Sequence, residues 1–191
     1  MTPSHRNRKP LAAALFLLFS TSSHAHDKTS LLRFADELTK DRGYRQAVVE
    51  YQRAFFMYPE LYRSEESVDK LLNAAFLAGD FQESLRLARK AREKTSDASA
   101  SCAAQYYEGR SLYVLENYSQ SHSIFNEAVG SCNSPWNGLS HYRDGLSLLR
   151  LGRWDEAAEA FSLVPRNSAL GGSAHHDCRS RWSRKRCLRM L

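Results

Sequence analysis

Residues 31–59 read LLRFADELTKDRGYRQAVVEYQRAFFMYP. Small and aromatic residues fall there at spacings of three and four: Tyr44, Ala47, Tyr51 and Ala54. Those spacings put side chains on one face of an α-helix. Ala35 stands nine residues before Tyr44, and Arg42-Gly43 between them marks a turn, because glycine leaves the helical region at little cost. The stretch predicts two antiparallel helices that approach closely over their small residues. The bulky ring fills the space where the next pair stacks.

The same pattern recurs in residues 68–91, 105–128 and 141–164. Phe81, Tyr118 and Trp154 take the place of Tyr44, at spacings of 37, 37 and 36 residues. Ser84, Ser121 and Ala157 follow three residues on, then Ala88, Phe125 and Phe161, then Ala91, Ala128 and Val164. Nine residues before the turn aromatics stand Leu72, Gly109 and Gly145. Gly79-Asp80, Glu116-Asn117 and Gly152-Arg153 supply the turns. Four segments in register are the signature of a helical repeat array.

This pattern resembles the tetratricopeptide repeat family over residues 28–165. The first segment matches best, through Ala35, Tyr44, Ala47, Tyr51, Ala54 and Pro59, and the fourth through Gly145, Gly152, Trp154, Ala157 and Phe161. The second and third are looser, with serine at 84 and 121 for the usual alanine and Ala88 for an aromatic. The resemblance implies an all-α fold: an αα-hairpin solenoid, a right-handed superhelix of about four repeats near 28–61, 65–98, 102–135 and 138–168. The spacing exceeds the family's period of about 34, so longer inter-repeat loops are expected, with Pro59 and Pro135 inside them.

The family binds protein segments along the concave face made by the first helix of each pair. Carried onto this chain, that implies Asp36 and Lys40, then Asp69, Asn73 and Phe76, then Tyr106, Arg110 and Tyr113, then Tyr142, Leu146 and Leu149. Asn73, Phe76, Tyr106, Arg110, Tyr113 and Tyr142 are the expected partner-binding set, since tyrosine and arginine are over-represented at binding hot spots. The same tyrosines also suit packing between helices with their hydroxyls at the surface.

The two ends of the chain read differently. Arg6, Arg8 and Lys9 precede the nine-residue apolar run Leu11–Phe19, and Ser23-His24-Ala25 closes the stretch with small residues where a signal peptidase reads them. Residues 1–25 thus have the anatomy of a secretory signal, too short for a membrane span of about 20 apolar residues. A mature protein that is periplasmic or extracellular, with no stable membrane span, is expected. The net charge of +6 belongs to the ends, because residues 26–165 hold 17 basic and 20 acidic side chains. A mildly acidic body is poor material for phosphate neutralisation, so no nucleic-acid partner is expected.

After Pro165 the repeat pattern stops, and residues 169–191 read as a basic, disordered tail. Two readings stand for it: an arm that contacts anionic surfaces, or a reading frame that changes near residue 170 and truncates a longer protein. On the second reading the chain is a docking or regulatory domain of a longer envelope protein or enzyme. His175, His176, Asp177 and Cys178 lack a partner pair at zinc-finger spacing, so no metal is expected there. There is no phosphate-binding glycine loop, nucleophile elbow or zincin helix. The chain is expected to be a binding scaffold with no catalytic residues and no cofactor.

Export places Cys102, Cys132, Cys178 and Cys187 in an oxidising compartment. Cys102 falls near the start of the third repeat and Cys132 just past its end, adjacent ends of an antiparallel pair. A bridge between them closes a loop of about 30 residues, worth about 3–4 kcal/mol. Mass analysis of an unreduced digest is expected to yield a peptide pair joining Cys102 to Cys132. Recovery of both as alkylated free thiols would remove the staple.

Overall fold

The computed structural model describes residues 27–165 and residue 173. The expected leader at 1–25, and the tail at 169–191 apart from Ser173, lie outside the described residues. Eight α-helices span the described chain: α1 Lys28–Lys40, α2 Tyr44–Met57, α3 Glu65–Leu77, α4 Phe81–Lys94, α5 Ala98–Val114, α6 Tyr118–Ser131, α7 Trp136–Arg150 and α8 Trp154–Ser162. A short 3₁₀ helix, Pro59–Arg63, links α2 to α3. The described residues contain no strand, and no helix among them is long and apolar enough to cross a membrane.

The helices pair as α1/α2, α3/α4, α5/α6 and α7/α8, and α3, α5 and α7 lie side by side. The architecture is the all-helical repeat solenoid that the sequence predicts. Tyr44, Phe81, Tyr118 and Trp154 are each the first residue of a second helix. The turns differ in detail from expectation. Left-handed backbone falls on Arg42 and Glu116 in the first and third hairpins, one residue before Gly43 and Asn117. The amides of Gly43 and Asn117 instead bond back to the carbonyls of Leu38 and Leu112, at 2.8 and 2.9 Å. That six-residue closure needs its left-handed residue one place earlier.

The extra length of each repeat is not confined to loops. Only three residues separate α4 from α5, while α5 runs to 17 residues. Asp97 starts it early, its carboxylate accepting the Ala100 amide at 2.8 Å. The third repeat therefore begins at Ala98 instead of near 102, and Cys102 sits in the second turn of α5. Cys132 caps α6, and the two sulfurs are bonded with their Cα atoms 5.7 Å apart. Pro59 opens the 3₁₀ helix, and Pro135 stands at the N-cap of α7.

The repeat pattern has a steric basis. A Cβ on Gly109 would lie 2.6 Å from the Phe125 ring, and one on Gly145 would lie 2.6 Å from Phe161. Glycine on the first helix thus admits a ring from the second. In the first pair the equivalent residues are Ala35 and Tyr51, both fully buried. In the second they are Leu72 and Ala88, also fully buried. There the large residue has changed helices, which conserves volume and explains the looser match. The serines at the alanine positions are satisfied. Ser111 Oγ donates to Ser84 Oγ, and Ser121 Oγ donates to the Gly109 carbonyl, both at 2.9 Å.

One apolar cluster runs from Leu31 in α1 to Trp136 in α7. A second gathers Leu148, Ala157, Ala158, Ala160, Phe161 and Val164 in the last pair. Between them, α6 meets α7 partly through polar groups. Ser121 Oγ lies 2.9 Å from Ser147 Oγ, and His122 Nδ1 lies 2.6 Å from Asp144 Oδ1.

Gly109→Ala is expected to cost about 1–3 kcal/mol by overpacking against Phe125, and Phe125→Ala about 3–5 kcal/mol by leaving a cavity. The double variant Gly109→Leu/Phe125→Ala copies the second pair and should lose less than the summed singles. A denaturant-unfolding double-mutant cycle reads that coupling.

Candidate functional site

Helix α5 places the site. Its neighbours are α3, α4, α6 and α7, and buried residues run right around it: Cys102 to Gly109 without a break, then Ser111 and Leu112. Polar side chains on such a helix need partners from the helices outside it. Glu108, 4% exposed, is held by Arg89 at 3.1 Å and Arg92 at 2.7 Å. Arg92 also reaches Glu127, which accepts from Gln105 at 2.9 Å. Tyr107 donates its hydroxyl to Asp69 Oδ1 at 2.9 Å. Burial raises the Tyr107 pKa, and the Asp69 charge raises it further. Burial also raises the Asp69 carboxyl, against the Tyr107 hydrogen bond that lowers it.

Arg110 is the exception. Its guanidinium carbon lies over the Phe76 ring, 3.9 Å from the centroid, with the Tyr106 and Tyr107 centroids at 5.3 and 5.4 Å. Among the described residues it makes no ion pair, and its buried Nε has no hydrogen-bond partner. Arg143 on α7 is alike: half-buried, without an ion pair, its Nε also orphaned. Burial presses the Arg110 pKa below its usual value, and the nearby Arg143 cation presses the same way. An arginine stays charged in a protein regardless. The face of α3, α5 and α7 thus holds two half-buried cations on an aromatic bed with no acid to answer them. The Asp69 charge favours the Arg110 cation at a distance, but Asp69 Oδ1 accepts the Tyr107 hydroxyl and no ion pair joins the two.

The expected site residues divide. Phe76 and Arg110 are in contact and only partly buried. Asn73 lies one helical turn before Phe76 on α3 and is partly buried. Tyr106 needs correction as a surface contact. It is 6% exposed, with its ring centroid 5.4 Å from Trp136 and 6.3 Å from Phe125. Helical spacing marks its face, but α5 has no open face at that level, so Tyr106 lies under Arg110 as support. Tyr113 packs edge-on to Tyr118 at 5.4 Å, and Tyr142 tilts on Phe161 at 5.8 Å. Both therefore serve helix pairing and retain some exposure.

In the first repeat Asp36 is already engaged, by the Tyr51 hydroxyl and by Lys70 at 2.9 Å. The hydrogen bond to Glu66 is the main cause of the raised Lys70 pKa, with Asp36 adding to it. Lys40 is exposed. Leu146 and Leu149 pack on the second apolar cluster. The sequence reading passed over Arg143 and Trp136. Trp136 rests on Tyr106 and Tyr107, and its Nε1 donates to Glu65 Oε1 at 2.8 Å, tying the start of α7 to the start of α3. Arg143 stands 33 residues after Arg110, three short of the 36-residue spacing between these repeats, which places it about one helical turn before the equivalent position on α7.

No family model matches the chain, and no curated protein matches it. Solved structures do. YrrB, described as a TPR protein with an unusual peptide-binding site, superposes at a TM-score of 0.60 and 18% identity, over 87% of this chain and 84% of that one. A MamA RS-1 double mutant reaches 0.65 at 15% identity, over 86% and 90%. A kinesin light chain of Podosopora anserina with nearly identical TPR-like repeats reaches 0.63 at 16% identity, over 88% and 93%. The chain has the TPR-like fold.

A cation kept for binding and a charge kept for folding should respond differently to removal. Arg110→Met keeps the stem over Phe76 and removes an unpaired half-buried charge, so the thermal midpoint is expected to hold or rise. Glu108→Ala leaves Arg92 without its buried partner and should cost about 3 kcal/mol. Thermal unfolding of the two variants beside the parent measures the contrast.

Proposed function

We propose that this chain is an exported scaffold that binds a protein segment along the face of α1, α3, α5 and α7. The segment seats an acidic side chain or a chain-terminal carboxylate on Arg110 and Arg143. One observation carries the reading: two half-buried guanidiniums with orphaned Nε atoms and no acidic partner among the described residues. An arginine fork matches a carboxylate in two parallel hydrogen bonds, and partial burial strengthens them over their worth in water. The ring of Phe76 positions the Arg110 fork before any partner arrives, which lowers the ordering cost of binding.

Several features support binding over chemistry. Apart from Arg110, the groups with shifted pKa values on this face include Tyr107, paired with Asp69, and Lys70, paired with Asp36 and Glu66. The TPR-like neighbour YrrB is described by its peptide-binding site. Export rests on the charged, apolar and small-residue succession in residues 1–25. The Cys102–Cys132 bond is in keeping with it, since structural disulfides persist in oxidising compartments.

Selection of a displayed random-peptide library on the immobilised protein tests the proposal. Binders should be rich in Asp and Glu or end in a free carboxylate, and should weaken about 30-fold on Arg110→Met, the loss of one hot spot. Phe76→Ala should weaken them in the same direction. Binders that are neutral in composition and indifferent to both substitutions would dismiss the carboxylate seat.

A further inference from the structure

A second concavity lies between α6, α7 and α8, and shares no lining residue with the Arg110 face. It is a half-open pocket of about 240 Å³ with both apolar and acidic walls. Leu148, Ala160 and Leu163 supply apolar surface, and Asp144, Glu156 and Glu159 supply carboxylates. Two of the carboxylates are answered within the fold. Asp144 lies 2.6 Å from His122 Nδ1, and Glu156 accepts from Arg153 Nε at 2.7 Å. Glu159 has no partner among the described residues.

His141 is the decisive group. It lines the pocket and is nine-tenths buried, yet it makes no hydrogen bond among the described residues. Burial lowers its pKa, so the ring is neutral at neutral pH and keeps one nitrogen as an acceptor. The ring nitrogens reach solvent although the residue as a whole is buried, and the opening beside them is this cavity. The titratable groups that line the pocket with it are His122 from α6, Asp144 from α7, and Glu156 and Glu159 from α8, with Arg153 paired to Glu156. Acid prevails in that set, which disfavours an anion. Among the described residues no three His, Cys, Asp or Glu side chains converge as metal ligands would. What remains is an organic cation with an apolar stem. Lysine and arginine side chains have that form.

We propose that this pocket receives a lysine or arginine side chain, its stem against Leu148, Ala160 and Leu163 and its cationic head on Glu159, Asp144 and the acceptor nitrogen of His141. This chain is itself one source of such a side chain. Residues 166–191 carry seven basic residues and begin three positions after Leu163, so their tether to a pocket residue would give any basic side chain among them that fits a high effective concentration there. A basic segment of another protein presents the same chemistry.

The test uses the full chain with isotope-labelled histidine, following the His141 ring resonances at neutral pH and low salt. The probes are n-pentylamine and n-pentanol, matched in stem and different in charge. The amine is expected to shift His141 saturably, with a dissociation constant on the order of 1–10 mM for so small a ligand. The alcohol should bind about tenfold more weakly. Glu159→Gln should cut the preference for the amine about threefold, the share of a surface charge.

A second chain carries Arg179→Gln, Arg181→Gln, Arg184→Gln, Arg186→Gln and Arg189→Gln, and separates the sources. If the tail fills the pocket, these changes alone shift His141 and strengthen the amine response. If the cation comes from elsewhere, the two chains respond alike. Either result upholds the pocket as a cation site. Equal responses to amine and alcohol, silence from His141 in both chains, or a preference untouched by Glu159→Gln would overturn it.

Discussion

Helix α5 has almost no solvent face, and the rest of the structure answers to that constraint. A helix packed on all sides must be narrow where its neighbours approach and must have every polar group met from outside. Gly109 meets the first demand by admitting the Phe125 ring. The second is met by Arg89 and Arg92 on Glu108, by Asp69 on Tyr107, by Glu127 on Gln105 and by Ser84 on Ser111. These partners come from α3, α4 and α6, so the polar order of one helix ties three others in place. A buried ion pair such as Glu108 with Arg92 adds little net stability over apolar packing, but breaking it is costly. Its effect is to penalise any stacking of the helices that separates them.

Arg110 escapes this accounting. It belongs to the same helix, it is just over half a turn past Glu108, and it makes no ion pair among the described residues. An aromatic face attracts a cation by about 0.5–2 kcal/mol, far short of a charge-assisted pair in the same surroundings. A fold that answers Glu108, Tyr107, Gln105 and Ser111 but leaves Arg110 and Arg143 without an ion pair holds an unspent interaction on this face. The repulsion between Arg110 and Arg143 adds to it, because a single carboxylate between them relieves both.

The sequence made the repeats legible because they follow from local geometry. The first residue of every second helix, the register of small and large residues and the number of helix pairs all come from spacings within about 30 residues. Leu72 with Ala88 looked like a weak match and proved to be the same volume divided the other way. The site was less legible, for a physical reason. Helical periodicity shows which side of a helix is shared, but not whether a further helix covers the remaining side. Tyr106 was therefore placed at the surface, when α6 and α7 cover it. Arg143, Trp136 and the His122–Asp144 contact depend on residues 22 to 71 positions away in the chain. No spacing rule within one repeat could supply them.

The junction between the third and fourth pairs follows from the same contrast. The main apolar cluster reaches α7 only through its start, at Trp136, and further along α6 meets α7 across Ser121, Ser147, His122 and Asp144. Hydrogen bonds tolerate small displacements less well than apolar contacts do, and they exchange readily with water when they part. The last pair is thus held by specific hydrogen-bond geometry as well as by packing. In a linear array such a junction is where opening begins. Both candidate sites border it: Arg143 on the face shared with α3 and α5, and His141 in the pocket shared with α6 and α8. They stand two residues apart on α7, and a helix turns about 200° over two residues, so they leave it on nearly opposite sides. A partner on either side of α7 therefore acts on the same polar junction.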